Sequence, residues 1–233
     1  NDGATPLLIA SQKGHVEVVR VLVERGADIN KADDYGFTPL YKASGMGYVE
    51  IVRFLVERGA DINKANNSGD TPLLAASTGL APLWRGREEV VRFLADRGAD
   101  INKANNEGEN PLFVASVTGN ENIVRILLDN GASVNIPNTD GQTPLMIAVS
   151  HGHFEIVKSL LAYGANLNAR TNEGDTAFDM VDEGPSHNRS KIENLLKTYQ
   201  QKNVVTKNIK EYKRPNIPTL GSLAHSQLDT EST

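Results

Sequence analysis

One six-residue phrase recurs along the chain at an almost constant spacing. Its copies begin at Thr5, Thr38, Thr71, Asn110, Thr143 and Thr176, and the clearest of them read Thr-Pro-Leu-x-x-Ala. The steps between copies are 33, 33, 39, 33 and 33 residues. A fixed period of this length predicts a stack of small units, each packed on its neighbours, and not a single globular core. Such arrays present a long surface, which favours binding over chemistry.

Residues 33–65 show how one unit is expected to fold. A turn of sequence Asp-Tyr-Gly comes first, and its glycine supplies the positive φ that tight turns often need. Thr38 then suits a helix N-cap, and Pro39 suits the first helical turn. The first helix is predicted to end at Gly47. A second helix, with apolar residues at helical spacing, is predicted to end just before Gly59.

Three linked motifs in register indicate a family. They are Gly-x-Thr-Pro-Leu at the entry to the first helix, Gly-His/Tyr-x-Glu-Val-Val at the start of the second (Gly14 to Val19), and Gly-Ala-Asp-Ile-Asn at its exit. Over about residues 1–198 the chain resembles the ankyrin repeat. The resemblance implies an all-α solenoid of six stacked helix-turn-helix units with projecting β-turn fingers. The family's usual His after Thr-Pro-Leu is absent, and we expect apolar contacts in its place from Leu8, Tyr41, Leu74, Phe113 and Met146.

The register also sets the domain boundaries. The six repeats are predicted at about residues 1–32, 33–65, 66–104, 105–137, 138–170 and 171–198. The first is apolar like an interior repeat, so we expect it to expose area that a preceding repeat would cover. The sixth has the polar exterior of a capping repeat. Residues 199–233, basic and then Ser/Thr-rich, are predicted to form a largely irregular, flexible tail.

Repeat three carries an insertion. Six extra residues, Leu80 to Arg85, fall in the turn between its helices and include Trp84, the only Trp of the chain. One interpretation is a local lid over the helix ends. The other is an exposed anchor for a partner, because Trp is enriched at binding hot spots.

Composition narrows the functional classes. The net charge is -5, and an acidic array repels phosphate backbones, which argues against nucleic-acid binding. No apolar run reaches the length of about 18 residues that a membrane span needs. The chain has no Cys, which excludes disulfides. We expect an intracellular protein, in the cytoplasm above all, with the nucleus and delivery into a host cell left open.

No catalytic arrangement is readable in the sequence. Nucleophile, base and orienting group do not occur together, and the acids of the turns come from different repeats. We therefore expect no enzymatic activity, no cofactor and no metal. His151 and His153 flank one glycine as a metal pair can, but His153 matches the family's loop histidine and His151 is expected to be simply exposed.

The ankyrin resemblance raises one possible modification. In that family an asparaginyl hydroxylase can modify the Asn that closes the Gly-Ala-Asp-Val-Asn motif. The matching residues here are Asn30, Asn63, Asn102, Asn135 and Asn168. The alternative is a purely structural Asn that bonds across neighbouring turns.

The second helices repeat their charges. Basic residues recur at Arg20, Arg53, Arg92, Arg125 and Lys158, and acids follow four residues later at Glu24, Glu57, Asp96 and Asp129. This spacing predicts ion pairs within each helix, each worth only a few tenths of a kcal/mol. The pattern is typical of a solvated outer face.

The resemblance implies that the fingers and first helices bind partners. Repeat two departs most from the others there, with aromatic, Met and Lys side chains of the kinds found at interface cores. The fingers of later repeats carry carboxylates. The predicted partner-binding residues are Tyr35, Phe37, Lys42, Met46, Asp70, Trp84, Glu107, Glu109 and Asp140. Tyr41 has a core alternative.

The predicted function is a protein–protein interaction scaffold, a monomeric array that binds a basic or mixed apolar and basic segment of another protein. The alternative is a regulatory or targeting module of a larger protein, such as an enzyme, a channel or a secreted effector, whose activity lies outside this chain. Residues Lys202 to Arg214 carry four Lys, one Arg and one Glu, so the tail itself is a further candidate for the acidic surface.

Overall fold

The computed structural model describes residues 2–78, 86–182 and 186–212. It divides into two compact units, Asn1–Leu196 and Lys197–Thr233. Within the described residues every regular element is helical. The α-helices are α1 (Pro6–Lys13), α2 (Val16–Glu24), α3 (Pro39–Met46), α4 (Val49–Glu57), α5 (Pro72–Ser77), α6 (Arg87–Asp96), α7 (Pro111–Thr118), α8 (Glu121–Asp129), α9 (Pro144–Ser150), α10 (Phe154–Ala162) and α11 (Ser186–Tyr212).

The helices pair and stack as the period predicts. Helices α1 and α2 pack on each other, as do the next four pairs, and α1, α3, α5, α7 and α9 lie side by side in series. Because each pair contacts its neighbours in the chain, the apolar core runs along the whole stack. The predicted helical solenoid is confirmed.

Local sequence explains where the helices begin and end. The hydroxyl of Thr38 accepts a hydrogen bond from the Tyr41 amide at 3.1 Å, and Pro39 opens α3. The same capping recurs at the other four first helices, where it satisfies an N–H that has no partner inside the helix. Helix α4 ends two residues before Gly59, whose φ of +88° other residues rarely adopt.

Apolar side chains fill the place of the family's usual histidine. Leu8, Leu74, Phe113 and Met146 are all buried, whereas Tyr41 is half-buried and reaches the surface. The apolar replacement that the sequence predicts therefore holds at four positions, and Tyr41 is the exception.

The fingers form a continuous hydrogen-bonded edge. In the second finger the Asp33 amide donates to the Phe37 carbonyl at 3.1 Å, which closes the turn. The Asn67 amide of the next finger donates to the Tyr35 carbonyl at 3.0 Å, and later fingers repeat this bond. The fingers therefore hold one another at a fixed spacing.

The sixth repeat departs from the helix pair that was predicted to start near Thr176. A 3-10 helix, Asp179–Asp182, stands where a first α-helix was expected. Proline is missing after Thr176, and the Asp179 carboxylate accepts bonds from both the amide and the hydroxyl of Thr176, at 2.8 and 2.7 Å. The Thr176 hydroxyl therefore donates a hydrogen bond to Asp179, whereas the hydroxyls at the starts of α1, α3, α5 and α9 accept one from the first turn of the helix.

The last helix also extends further than the predicted repeat boundary at residue 198. Helix α11 continues to Tyr212, so the first part of the predicted tail is helical. Residues 199–212 contain no Gly or Pro, and Pro215 is the first residue that cannot continue a helix. The rest of the tail, residues 213–233, lies outside the described residues.

Candidate protein-binding surface

A row of side chains at the base of the fingers faces the first helices. Each occupies the place just after the finger glycine, and the row reads Phe37, Asp70, Glu109 and Gln142. An acid or amide four residues earlier fixes its backbone: the Asp33 carboxylate accepts from the Phe37 amide at 2.9 Å. Asn66, Asn105 and Asn138 make the same bond in later fingers. The finger backbone is therefore the same in each of these repeats, while the side chain at this position changes from one repeat to the next.

Three aromatic rings and one cation meet in repeat two. The ring of Phe37 lies 6.3 Å from that of Tyr35 and 4.8 Å from that of Tyr41, measured between centroids. The Lys42 ammonium stands 3.5 Å from the centroid of the Phe37 ring, within cation–π distance. Tyr35 is 57% exposed. We call these four residues the aromatic cluster.

The two polar members of the cluster are partly desolvated. Burial raises the pKa of Tyr41 to about 12, and the neighbouring charge of Asp70 adds to the shift. Burial also lowers the pKa of Lys42, while Asp33 acts in the opposite direction. Both shifts reflect partial burial of these two side chains beside the exposed Tyr35.

A groove opens beside the cluster. It has a volume of about 510 Å³ and runs between the third and fourth fingers and the first helices. Its apolar lining comes from Leu74 and Val114 with the side of Tyr41, and carboxylates line its finger side. The lining carboxylates belong to Asp70, Glu107 and Glu109. We call this feature the acidic groove.

One amide holds two of the groove's carboxylates. The side-chain nitrogen of Asn105 donates to Asp70 Oδ1 at 3.0 Å and to Glu109 Oε2 at 3.2 Å. Asn66 donates to the other oxygen of Asp70 at 3.1 Å. Among the described residues neither carboxylate has a salt bridge, so two negative charges converge without a cation between them.

The structure brings only some of the predicted binding residues together. Met46 lies half-buried at the end of α3, and Asp140 is exposed on the fifth finger, outside the groove lining. Trp84 falls in the insertion, outside the described residues. Sequence reasoning missed the asparagines that position the carboxylates. Their recurrence at the first finger position, as Asn66, Asn105 and Asn138, was the available signal.

The outer face corrects the predicted ion pairs. Arg20 and Arg53 do not bridge the acids four residues ahead. They reach the next repeat, to Glu50 at 2.9 Å and to Glu89 at 3.0 Å. An Arg placed before its Glu is the weaker order for a pair within one helix. Two of the four predicted acids are approached from the repeat that follows, Glu24 by Arg58 and Glu57 by Arg97, both at 3.9 Å.

Phenylalanines on the outer face sit between these arginines. The Phe54 ring has the guanidinium of Arg20 at 4.9 Å and that of Arg58 at 4.7 Å from its centroid. Phe93 has two arginines of adjacent repeats at 4.8 Å in the same way. Each ring is almost fully buried. These contacts link repeat to repeat.

Four of the asparagines considered for hydroxylation join successive repeats. The side-chain oxygens of Asn30 and Asn63 accept from the amides of Asp61 and Asp100, each at 2.9 Å. Asn102 and Asn135 make equivalent bonds at 2.8 Å. This geometry gives them a structural role, and their hydroxylation stays a prediction.

The histidine pair is occupied by hydrogen bonds. The rings of His151 and His153 stack with centroids 5.9 Å apart. His151 Nδ1 bonds the Ile147 carbonyl at 3.0 Å, and His153 Nε2 bonds the Val117 carbonyl at 3.2 Å. Throughout the described residues, no group of three or more His, Cys, Asp or Glu is placed to hold a metal ion, and no helix has the length and hydropathy to cross a membrane.

The stacked helix pairs and the finger edge define a helical-repeat protein. The family model for ankyrin repeats, described as "Ankyrin repeats (3 copies)", matches residues 1–66, 33–105, 63–138, 83–171 and 134–181. The chain belongs to the ankyrin-repeat family. No curated protein matches it. Ankyrin repeats are generally modules that bind other proteins, and they are typically non-catalytic.

Proposed function

We propose that the protein is an interaction scaffold whose fingers and first helices hold an extended segment of a partner protein across repeats two to four. The observation that carries this proposal is the contrast between a repeated backbone and the side chains on it. The aromatic cluster and the acidic groove adjoin at Tyr41, which belongs to both.

The chemistry of the two features supports a partner segment of mixed basic and apolar character. Carboxylates of Asp70 and Glu109 favour a Lys or Arg side chain, since their charges have no cation among the described residues. Tyr35, which is 57% exposed, and the half-buried Phe37 beside it favour an apolar or aromatic side chain, because aromatic rings at a surface are enriched in interface cores. The matching segment therefore carries a basic residue next to an apolar one.

Selection from a random peptide library tests this function on the full chain. Displayed peptides of about twelve residues are selected on the immobilised protein, and an enriched peptide is measured by fluorescence anisotropy. We expect enrichment of sequences with Lys or Arg beside apolar residues. Replacing Tyr35 and Phe37 by Ala should each cost more than about 1 kcal/mol of binding free energy if they are hot spots.

Two further variants separate the site from the fold. Asp70→Asn with Glu109→Gln should weaken binding and reduce its dependence on salt, because the charge contribution is lost. Arg92→Ala, on the exposed outer face, should bind like the wild type. Peptides that bind all variants equally would place recognition elsewhere and refute the proposed site. Circular dichroism melting of each variant checks that a lost affinity is not lost folding.

A further inference from the structure

The outer face shows how this chain holds an arginine. The guanidinium of Arg20 lies 4.9 Å from the centroid of the Phe54 ring and 2.9 Å from the carboxylate of Glu50. The equivalent arginine one repeat later, Arg53, has a ring at 4.8 Å and a carboxylate at 3.0 Å. In both cases the following repeat supplies the ring and the carboxylate together, and the two groups share one guanidinium.

The shape of the guanidinium explains this pairing. The group is planar, so its face can stack on a ring while the N–H groups at its edge donate to a carboxylate. An ammonium is a compact point charge and does not combine the two contacts in this way. Lys42 stands 3.5 Å from the centroid of the Phe37 ring and, within the described ranges, forms no salt bridge. Lys158 pairs with Glu155 at 3.4 Å but lies over no ring among the same residues.

The acidic groove contains the same two kinds of partner. Tyr41 lines it together with Asp70 and Glu109, and the charge of Asp70 contributes to the raised pKa of Tyr41. Asn105 holds one oxygen of each carboxylate, at 3.0 and 3.2 Å, so the two carboxylates converge. No Arg or Lys is among the described residues of the lining. The groove therefore has the ring and the carboxylates of an outer-face arginine site without the arginine.

The exposure of these side chains leaves them accessible to a partner. Tyr41 is half-buried, and so are Asp70 and Glu109. Charges that are partly shielded from water attract a cation more strongly than fully exposed charges do. The residues at the place of Tyr41 in four other repeats are buried: Leu8, Leu74, Phe113 and Met146. A ring that reaches the surface at this place is thus specific to repeat two.

We propose that the acidic groove is an arginine-selective site, in which the guanidinium of a partner residue stacks on the Tyr41 ring and donates to the carboxylates of Asp70 and Glu109. The apolar stem of that arginine lies along Leu74 and Val114, which form the apolar part of the lining. The partner is therefore a protein segment that places Arg, and not Lys, in the groove. This inference rests on the function proposed above, because it names the residue of the bound segment that the groove accepts.

Two displayed peptide libraries test the selectivity on the full chain. Each encodes peptides of about twelve residues, with Arg as the only basic residue in one library and Lys in the other. A peptide enriched from the Arg library is synthesised with a fluorescent label, and its arginines are replaced by Lys one at a time. We expect the Arg library to enrich more strongly, and one Arg-to-Lys change to weaken binding roughly fivefold or more in fluorescence anisotropy, since the stacked contact is lost.

Variants of Tyr41 separate the ring from the charge. Tyr41→Leu should weaken binding of the Arg peptide and change binding of the Lys peptide much less, so that their affinity ratio falls towards one. Leu8 and Leu74 occupy the equivalent place, so this variant is expected to fold, and circular dichroism melting checks it. Tyr41→Phe keeps the ring and should keep the ratio. Asp70→Asn with Glu109→Gln should weaken both peptides.

The possible results distinguish this inference from the proposed function. Equal affinity of the Arg and Lys peptides for the wild type would overturn the selectivity and leave the binding function standing. This comparison does not depend on the folding of any variant. An Arg preference that survives unchanged in folded Tyr41→Leu would also overturn the inference, because the ring would then have no part in it. Peptides that bind the wild type and the double charge variant equally would refute the proposed site itself, and the arginine site with it.

Discussion

The two surfaces of this array differ in which contacts recur from repeat to repeat. The outer surface is formed by the second helices, and the inner surface by the fingers and first helices. On the outer surface, repeats one to three make the same contacts at each step: arginine with the glutamate of the next repeat, and arginine with phenylalanine. On the inner surface, the place after the finger glycine changes from Phe37 to Asp70 to Glu109 to Gln142. A contact that recurs with the period serves stacking. A side chain that departs from it on a fixed backbone is free to serve recognition.

The largest effect should come from a buried outer ring. Phe93→Ala removes a side chain that is 5% exposed and lies between two arginines of adjacent repeats. We expect a loss of about 3 kcal/mol in the free energy of unfolding, as for other large core truncations. Urea denaturation measures it. Phe54→Ala, in the matching environment, should cost about as much, and neither should change peptide affinity at temperatures where the variant is folded.

Intact stability in Phe93→Ala would show that the outer contacts do not couple the repeats. A fully folded variant that binds the selected peptide less tightly would show that the two surfaces are not separate. Either result would break the distinction between stacking and recognition.

A smaller effect is expected along the asparagine series. Asn63→Ala leaves the Asp100 amide without its acceptor, and loss of such a bond costs about 1 kcal/mol. Asn168→Ala is the matched control. Among the described residues the Asn168 side chain accepts no hydrogen bond, unlike those of Asn30, Asn63, Asn102 and Asn135. The unfolding midpoint of Asn168→Ala in urea should equal that of the wild type. Equal losses in both variants would contradict the structural role of the series.

Smaller still is the coupling of one outer ion pair. Arg53 and Glu89 lie 3.0 Å apart but are both close to half exposed, so water and salt screen them. A double-mutant cycle with Arg53→Ala and Glu89→Ala should give less than about 1 kcal/mol of coupling, and raising the salt concentration should reduce it. Coupling that survives in 1 M salt would identify a contact other than the ion pair.

Local signals made the helix register predictable from the sequence. Thr38, Pro39 and Gly59 act within a few residues, so their roles can be read directly in the chain. The sixth repeat shows the same rule in reverse, because the loss of proline after Thr176 goes with the loss of the first α-helix.

Contacts between repeats were not predictable in this way. Arg20 has Glu24 at helical spacing, yet it binds Glu50, and only the distance between stacked helices decides this choice. The convergence of two of the predicted carboxylates was missed for a similar reason. Asp70 and Glu109 belong to different fingers, and their approach to one Asn105 amide follows from the stacking of those fingers.

The smallest expected effect is a change in the pKa of Tyr41, on the inner surface. Burial raises the pKa of Tyr41 from 10.0 to about 12, and Asp70 adds to the shift. The folded state therefore favours the neutral phenol. That contribution to stability is complete below about pH 10, where an unfolded tyrosine is still protonated, and is lost as the pH rises through about 12.

Asp70→Asn should lower the pKa of Tyr41 but leave it above 10, because burial is the larger cause and remains. Tyrosinate absorbance followed against pH measures it, in a Tyr163→Phe background, since the bond to Asp129 also raises the pKa of Tyr163. Tyr41→Phe in that background should remove the transition assigned to Tyr41. If this transition persists without Tyr41, the assignment is wrong. If Asp70→Asn does not move it, the charge of Asp70 does not reach Tyr41, and the acidic groove and the aromatic cluster are electrostatically independent surfaces.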